Sequence, residues 1–202
     1  VIADKIALIG ANGNMGKRYQ AIMNWCEIPY KSFDVHNMSA LYDSVHDVES
    51  FIVATPTDTH FDILMDLKKY QLPILCEKAV TKNLDELYQL LNTDIKLTMV
   101  NQYKYLVGDR NLSDESYYHY FKSGDDKIFW DCINIIGLSN KFPELSNESP
   151  IWNCCINGVT LNLGEMDYAY IQMIKDWKDN PKADHDYIVK AHEKTYLMMT
   201  SK

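Results

Sequence analysis

Long hydrophobic runs are missing from this 202-residue sequence. No stretch approaches the ~18 apolar residues that a membrane helix requires, so a membrane-spanning role is not expected. The first apolar run, Ile6 to Ile9, leads straight into a glycine turn, which is unlike a secretory leader. Basic charge is also short: 20 Lys and Arg stand against 28 Asp and Glu, for a net charge of −8. Nucleic acids and membrane surfaces both select a basic face, so neither is an expected partner. A cysteine pairing pattern is missing as well. The five residues (Cys26, Cys76, Cys132, Cys154, Cys155) are odd in number, lie mostly in apolar runs and include no C-x-x-C pair. Cys154 and Cys155 are neighbours, whose side chains point to opposite faces on a strand, so they do not read as a metal site. Buried, reduced thiols in a cytoplasmic protein are the expectation. Internal repeats and low-complexity tracts are absent too.

What is present is the composition of a globular chain, 47% hydrophobic and 24% charged. Its length allows one large domain or two small ones. The stretch from Lys5 to Lys17 organises the rest. Ile6 to Ile9 reads as a buried parallel strand and residues 14–26 as a helix, with three glycines in the turn between them. Such a turn brings bare backbone close to a pyrophosphate, with the N–H groups of the first helical turn aimed at its charge. A Cβ at the closest point would hold the phosphate away. Gly13 and Gly16 occupy the last two places of the G-x-G-x-x-G pattern, but Ala11 stands in the first, and Gly10 makes the variant G-x-x-G-x-x-G. A tight strand–helix turn with no ligand reads the same way. The pattern asks for an acid about twenty residues on, at the end of the second strand. Asp34 stands there. Its carboxylate would accept both ribose hydroxyls of NAD and repel the extra phosphate of NADP. No Arg follows closely, so NAD is favoured, while nearby His36 leaves NADP open. An ordinary strand-end Asp is the plainer alternative.

Further strands are predicted at residues 30–35, 47–54, 73–76 and 96–100. Helices are predicted at 38–46, at 58–70 with Thr57 or Asp58 as cap, and at 83–91 with Thr81 as cap. That alternation is the pattern of a doubly wound parallel sheet. It stops near residue 105. Beyond it the reading is a strand at 117–121, a turn at 123–126, a helix at 129–138 and a loop at 141–150. A hairpin follows over 151–163, turning on Asn157-Gly158, a pair that favours the type I′ turn. Helices at 165–177 and 184–199 complete the chain. The expected fold is α/β. An N-terminal Rossmann doubly wound parallel sheet, residues 1–105, precedes a small α+β domain, residues 106–202, with an open, largely antiparallel sheet.

Open α/β sheets bind ligands at the carboxyl ends of their strands. Two candidate groups lie there: Thr55-Pro56-Thr57 with His60, and Glu77-Lys78. In isolation the second is a solvated loop pair. Beside a nicotinamide, a lysine desolvated against the sheet loses basicity and becomes useful for taking a hydroxyl proton while hydride leaves the same carbon.

Gly10-x-x-Gly13-x-Met15-Gly16, then Ala54-Thr55-Pro56-x-x-x-His60, then Cys76-Glu77-Lys78-Ala79 resemble, in order and spacing, the Gfo/Idh/MocA oxidoreductases. The resemblance implies a Rossmann domain followed by an α/β domain whose open sheet covers the nicotinamide and holds a sugar or polyol. It implies that Lys78 is the catalytic lysine, with Asp131 as a second catalytic candidate. The dinucleotide would contact Gly10, Asn12, Gly13, Asn14, Met15, Gly16, Asp34, Ala54, Thr55, Pro56, His60, Glu77, Lys78 and Gln102. The last belongs to Gln102-Tyr103-Lys104, which resembles a family motif that ends in Arg. Ala79 replaces the family's proline, and Ile135 stands where its Asp-x-x-x-His would place the His, with Asn134 adjacent. The second domain is shorter than the family's. Asp131 also reads as a cap for the helix that follows it. Three functions follow. One is an NAD(P)-dependent oxidoreductase acting on a sugar, nucleotide sugar or polyol. The main alternative is a dinucleotide-binding regulator that has lost the chemistry. A third is an enzyme of another class on the same fold, such as a reductase of an imine or a ring double bond. The strand Tyr117-Tyr118-His119-Tyr120 should alternate its rings between two faces, suited to packing, to sugar contact or to an interface. A homodimer through the second domain is expected, because a small sheet leaves apolar area to cover.

Overall fold

Ile6–Ile9 forms β1, with all four side chains buried. In a computed structural model that describes residues 5–119, 127–146, 148–149 and 151–201, the chain folds as two compact units. The first is Val1–Val100 with Asp176–His185, and the second is Asn101–Lys175 with Asp186–Lys202.

Beside β1 in the first unit run β2 (Tyr30–Phe33), β3 (Ser50–Val53), β4 (Ile74–Cys76) and β5 (Leu97–Met99). All pair in parallel, in the order β2-β1-β3-β4-β5. The apolar runs of β1, β3 and β4 are buried on both faces, as strands between two helical layers must be. The intervening helices are α1 (Asn14–Trp25), α2 (Met38–Ser44), α3 (His60–Leu67) and α4 (Leu84–Leu91). On α1, Gly16, Tyr19, Ile22 and Met23 are buried, which is one helical face. Residues 176–185 run beside edge strand β5. The Thr98 hydroxyl donates to Lys182 O (2.6 Å), and the Asp184 N–H donates to Leu97 O (3.0 Å).

Two capping expectations are corrected. Neither Thr57 nor Asp58 caps α3. A 3₁₀ turn over Thr57–Thr59 precedes that helix, and no side chain caps either segment. The Thr59 hydroxyl bonds Thr55 Oγ1 (2.9 Å) and Pro56 O (2.7 Å) instead. For α4 the cap is Asn83, which accepts from the N–H groups of Asp85 (2.9 Å) and Glu86 (3.4 Å). Thr81 supports it from outside, donating to Glu86 Oε2 (2.7 Å) and accepting from Asn83 N–H (3.1 Å).

The second unit holds α5 (Tyr103–Val107), β6 (Tyr117–His119), α6 (Lys127–Asp131), α7 (Ile133–Leu138), β7 (Glu144–Ser146), β8 (Asn153–Ile156), β9 (Val159–Thr160), and parts of α8 (Met166–Asp179) and α9 (His185–Thr200). Its sheet has the order β7-β6-β8-β9. Two of its pairings are antiparallel, while β6 and β7 run parallel. The expected strand end at 120–121 and turn at 123–126 lie outside the described residues. Residues 141–150, read as a loop, contribute β7. The helix expected over 129–138 is divided at Cys132 into α6 and α7. The hairpin turns on Asn157 (φ 51°) and Gly158 (φ 79°), the positive pair that type I′ requires. The Asn157 side chain also donates to Leu138 O (3.0 Å) and accepts from Asn140 N–H (2.7 Å), so the turn anchors the end of α7. Ring alternation on β6 follows the expectation. Tyr117 stacks on His119 with centroids 5.0 Å apart, while Tyr118 is buried. Among the described residues no helix is long and apolar enough to cross a membrane.

Candidate active site

The register of the first sheet explains why distant motifs converge. Ile9 lies beside Phe33 and Val53, Val53 beside Cys76, and Cys76 beside Met99. The ladder continues one residue past each strand. The N–H of Gly10 donates to Phe33 O (3.0 Å), that of Ala54 to Ile9 O, that of Glu77 to Val53 O and that of Val100 to Cys76 O (each 2.8 Å). The strands therefore end level, and Gly10, Asp34, Ala54 and Glu77 leave the sheet along one carboxyl edge.

The three glycines of the first turn have different reasons to be glycine. Gly10 has φ +87°, and a Cβ there would lie 2.8 Å from the Ala54 carbonyl and the Thr55 nitrogen. A Cβ on Gly16 would lie 2.1 Å from Gly10 O. At Gly13 the nearest atom would be Gly10 O at 3.4 Å, an ordinary contact. The chain's own packing thus demands two glycines and leaves the third bare toward the outside, with Asn12 and Asn14 exposed on either side. Gly13 is also the N-cap of α1 and supplies no side chain to the N–H groups of the first turn. Met15 is half-buried in that turn. At the rim of the loop, Asp34 Oδ2 accepts the Asn12 N–H (3.2 Å), and Gln20 Nε2 holds Ala11 O (2.7 Å). Bare backbone, a helix N-terminus and a carboxylate beside them fit the pyrophosphate and ribose of a dinucleotide.

Behind this rim is a buried frame. His60 is fully buried, with Nε2 2.8 Å from Thr55 O and Nδ1 2.8 Å from Ala79 O. A neutral ring carries one N–H and donates to one of these carbonyls while it packs against the other, so His60 sits between the loop after β3 and the loop after β4. Glu77 is buried as well. Its Oε1 accepts the phenol of Tyr19 (2.5 Å), and its Oε2 accepts the Lys78 N–H (3.2 Å). Burial pushes the Cys76 thiol well up, and the adjacent Glu77 charge adds to it. Lys78 follows, half-buried, and its peptide bond to Ala79 is cis. The residues expected at the cofactor thus divide in two. Asn12, Gly13, Asn14, Met15, Asp34, Pro56 and Lys78 reach the surface, whereas Gly10, Gly16, Ala54, Thr55, His60 and Glu77 are buried behind them. Tyr19 was not found from sequence. The available signal was an aromatic on the buried face of α1, three residues past Gly16.

In the second unit, Gln102 is buried and its Oε1 lies 3.5 Å from Asn134 Nδ2. The Tyr187 phenol donates to Asn134 Oδ1 (3.2 Å). Ile135 is fully buried. Asp131 does not cap α7, whose N-cap is Cys132. It is the last residue of α6 and is half-buried. Among the described residues no group of three or more His, Cys, Asp or Glu is placed to hold a metal ion.

A five-stranded parallel sheet with a glycine turn and an acid on its carboxyl edge defines the class of dinucleotide-binding Rossmann domains. Residues 4–103 match the Gfo/Idh/MocA family, described as an oxidoreductase family with an NAD-binding Rossmann fold. Through this domain the chain belongs to the Gfo/Idh/MocA oxidoreductases. The fold is similar to that of a myo-inositol dehydrogenase from Corynebacterium glutamicum (TM-score 0.78, 12% identity, covering 98% of this chain and 96% of that one). It is also similar to the WlbA dehydrogenase from Thermus thermophilus, solved with NAD and UDP-GlcNAcA (TM-score 0.70, 11% identity, covering 96% and 94%). A third likeness is to the UDP-N-acetylglucosamine 3-dehydrogenase GnnA from Acidithiobacillus ferrooxidans (TM-score 0.67, 14% identity, covering 100% and 98%). At these identities the likeness is one of fold. No curated protein matches the sequence.

Proposed function

We propose that the chain is an NAD-dependent dehydrogenase acting on a CH–OH group of a sugar, nucleotide sugar or polyol, with Lys78 as the proton-transfer residue. The observation that carries this reading is the position of Lys78. It directly follows buried Glu77 on the same sheet edge as the glycine turn, in a loop that meets the loop after β3 across His60. The family match and the sugar and nucleotide-sugar dehydrogenases of similar fold support the same class of substrate.

The bare backbone at Gly13 and the N–H groups of Asn14 and Met15 would hold the pyrophosphate, and Asp34 would accept the ribose hydroxyls. That carboxylate disfavours the extra phosphate of NADP by charge repulsion. NAD, when bound, supplies the hydride acceptor or donor. Lys78 takes the hydroxyl proton in oxidation and returns it in reduction, from the half-buried position that keeps it near the edge but open to substrate. Asp131 and Gln102 are proposed substrate-side and cofactor-side contacts of the second unit. A cytoplasmic setting and a homodimer built through that unit complete the reading.

The test is turnover of a panel of sugars, nucleotide sugars and polyols by wild type and K78M. Loss of proton transfer should lower kcat by about 10²- to 10⁴-fold while NADH affinity stays within about twofold. Full turnover by K78M would remove Lys78 from the chemistry. Binding of NADH with no turnover of any alcohol by wild type would favour the regulatory alternative.

A further inference from the structure

We propose that Tyr19 is a positioning residue for Lys78, carrying the placement of the dinucleotide-binding helix to the catalytic loop through Glu77. The inference rests on the assignment of Lys78 above. Tyr19 sits on α1, whose first turn follows the glycine loop, and its side chain is fully buried. Its phenol donates to Glu77 Oε1 at 2.5 Å, at the short end of O–H···O hydrogen bonds. The other oxygen of Glu77 accepts the Lys78 N–H at 3.2 Å. One carboxylate thus links the helix that bears the phosphate site to the backbone of the residue that moves the proton.

The linkage has a mechanical consequence. A general base must sit within hydrogen-bond reach of the proton it takes, and a displacement of ~1 Å costs about 10² in rate. The Lys78 side chain is long and flexible, so its reach depends on where its backbone leaves the sheet. Glu77 N–H is fixed to Val53 O (2.8 Å), and the buried His60 ring packs against Ala79 O from the far side, with Nδ1 at 2.8 Å. Tyr19 completes this frame from α1. A buried carboxylate with one oxygen unpaired would seek another donor, and the peptide to Lys78 would turn with it. No sequence motif requires a tyrosine here.

The test uses the full chain and variants Y19F, E77Q and Y19F/E77Q. Acetylation of lysines by a small activated ester, read for each peptide by mass spectrometry, reports the placement of Lys78 without turnover. NADH fluorescence reports the cofactor site, and thermal unfolding reports the fold. In Y19F, Lys78 should acetylate about threefold faster, with NADH affinity within about twofold of wild type. With a turned-over sugar, kcat should fall about tenfold and KM should change less than about twofold. The double variant should be no worse than the poorer single variant, because both changes cut one link. Unchanged Lys78 acetylation in Y19F, or additive losses in the double variant, overturns the proposal. If Y19F does not fold, E77Q decides alone: faster Lys78 acetylation with NADH affinity retained supports the link, and unchanged acetylation overturns it. A wild type that binds NADH and turns over no alcohol would refute the proposed activity, while the acetylation comparison would still decide the link.

Discussion

The two sheets of this chain gather distant residues by different means. In the first, parallel strands in register end level, so every strand delivers its next residue to the same edge without a side-chain bond being needed. Position there is a property of the backbone ladder. In the second, short strands of mixed direction also pair through their backbones, and side chains tie the helices and loops around them. Asn157 holds the end of α7, Lys194 Nζ donates to Ser139 O (2.6 Å) and Lys141 O (2.9 Å), and Tyr187 holds Asn134. The level edge of the first sheet is therefore sensitive chiefly to backbone crowding, while the loops that leave it depend on a few side chains such as Tyr19 and Glu77. The second unit rests on side-chain bonds as well as on its backbone pairing.

The largest effect should come from crowding the ladder's edge. In G16A the new Cβ would lie 2.1 Å from Gly10 O, and backbone must shift to admit it. Such overpacking should cost about 3 kcal/mol in chemical denaturation. G13A sharpens the contrast: with its nearest contact at 3.4 Å it should cost under about 1 kcal/mol, yet weaken NADH binding by about tenfold or more. Equal destabilisation by the two would break the distinction between the glycines that the fold needs and the one kept for a ligand.

A middle effect is expected in the second unit from G137A. Its Cβ would meet the Ala191 side chain at 2.7 Å, where α7 packs on α9. The Ala191 Cβ is fixed to its backbone, whose Cα would lie 3.2 Å away, so the two helices must part, and about 2 kcal/mol is expected. NADH affinity should be unchanged. A loss of affinity in G137A as large as that in G13A would contradict the placement of the phosphate site on the first sheet.

The smallest effect should come from a side-chain pair away from both arrangements. The Tyr42 phenol donates to Asp66, and that bond, aided by Lys69, holds the Asp66 carboxyl below its ordinary range. Burial and the same bond push Tyr42 up to about 12. For a carboxyl with a lowered folded-state value, the stabilisation is present at neutral pH and is lost as pH falls through the acid range. For a phenol with a raised value, it is present below ~10 and lost as pH rises toward about 12. Y42F should therefore cost about 0.5 kcal/mol at pH 7, since the pair is partly solvated, and flatten both limbs of the stability–pH curve. An unchanged acid limb would remove the pair from the account.

The same contrast sets what was legible in the sequence. Strands β1, β3 and β4 are apolar runs bounded by turn residues, and their carboxyl ends are where the Gly10–Gly16 and Glu77-Lys78 motifs lie. The hairpin was legible because Asn157-Gly158 is a local signal. The strand Glu144–Ser146 was not: Glu-Leu-Ser is short and polar, and only its pairing with β6 makes it a strand. Nor were the contacts of His60 and Tyr19, which span 19 and 58 residues to their partners on the loop after β4. Motif spacing places residues near a ligand, but it does not show which of them face it and which are turned inward to hold the frame.

The most direct measurement is NADH and NADPH binding by nicotinamide fluorescence, on wild type and D34A. Wild type should bind NADH more tightly than NADPH. D34A should lose NADH affinity by about tenfold, as expected for removal of charged hydrogen bonds to the ribose, and its preference over NADPH should narrow. Wild type binding neither nucleotide would contradict the account at its base.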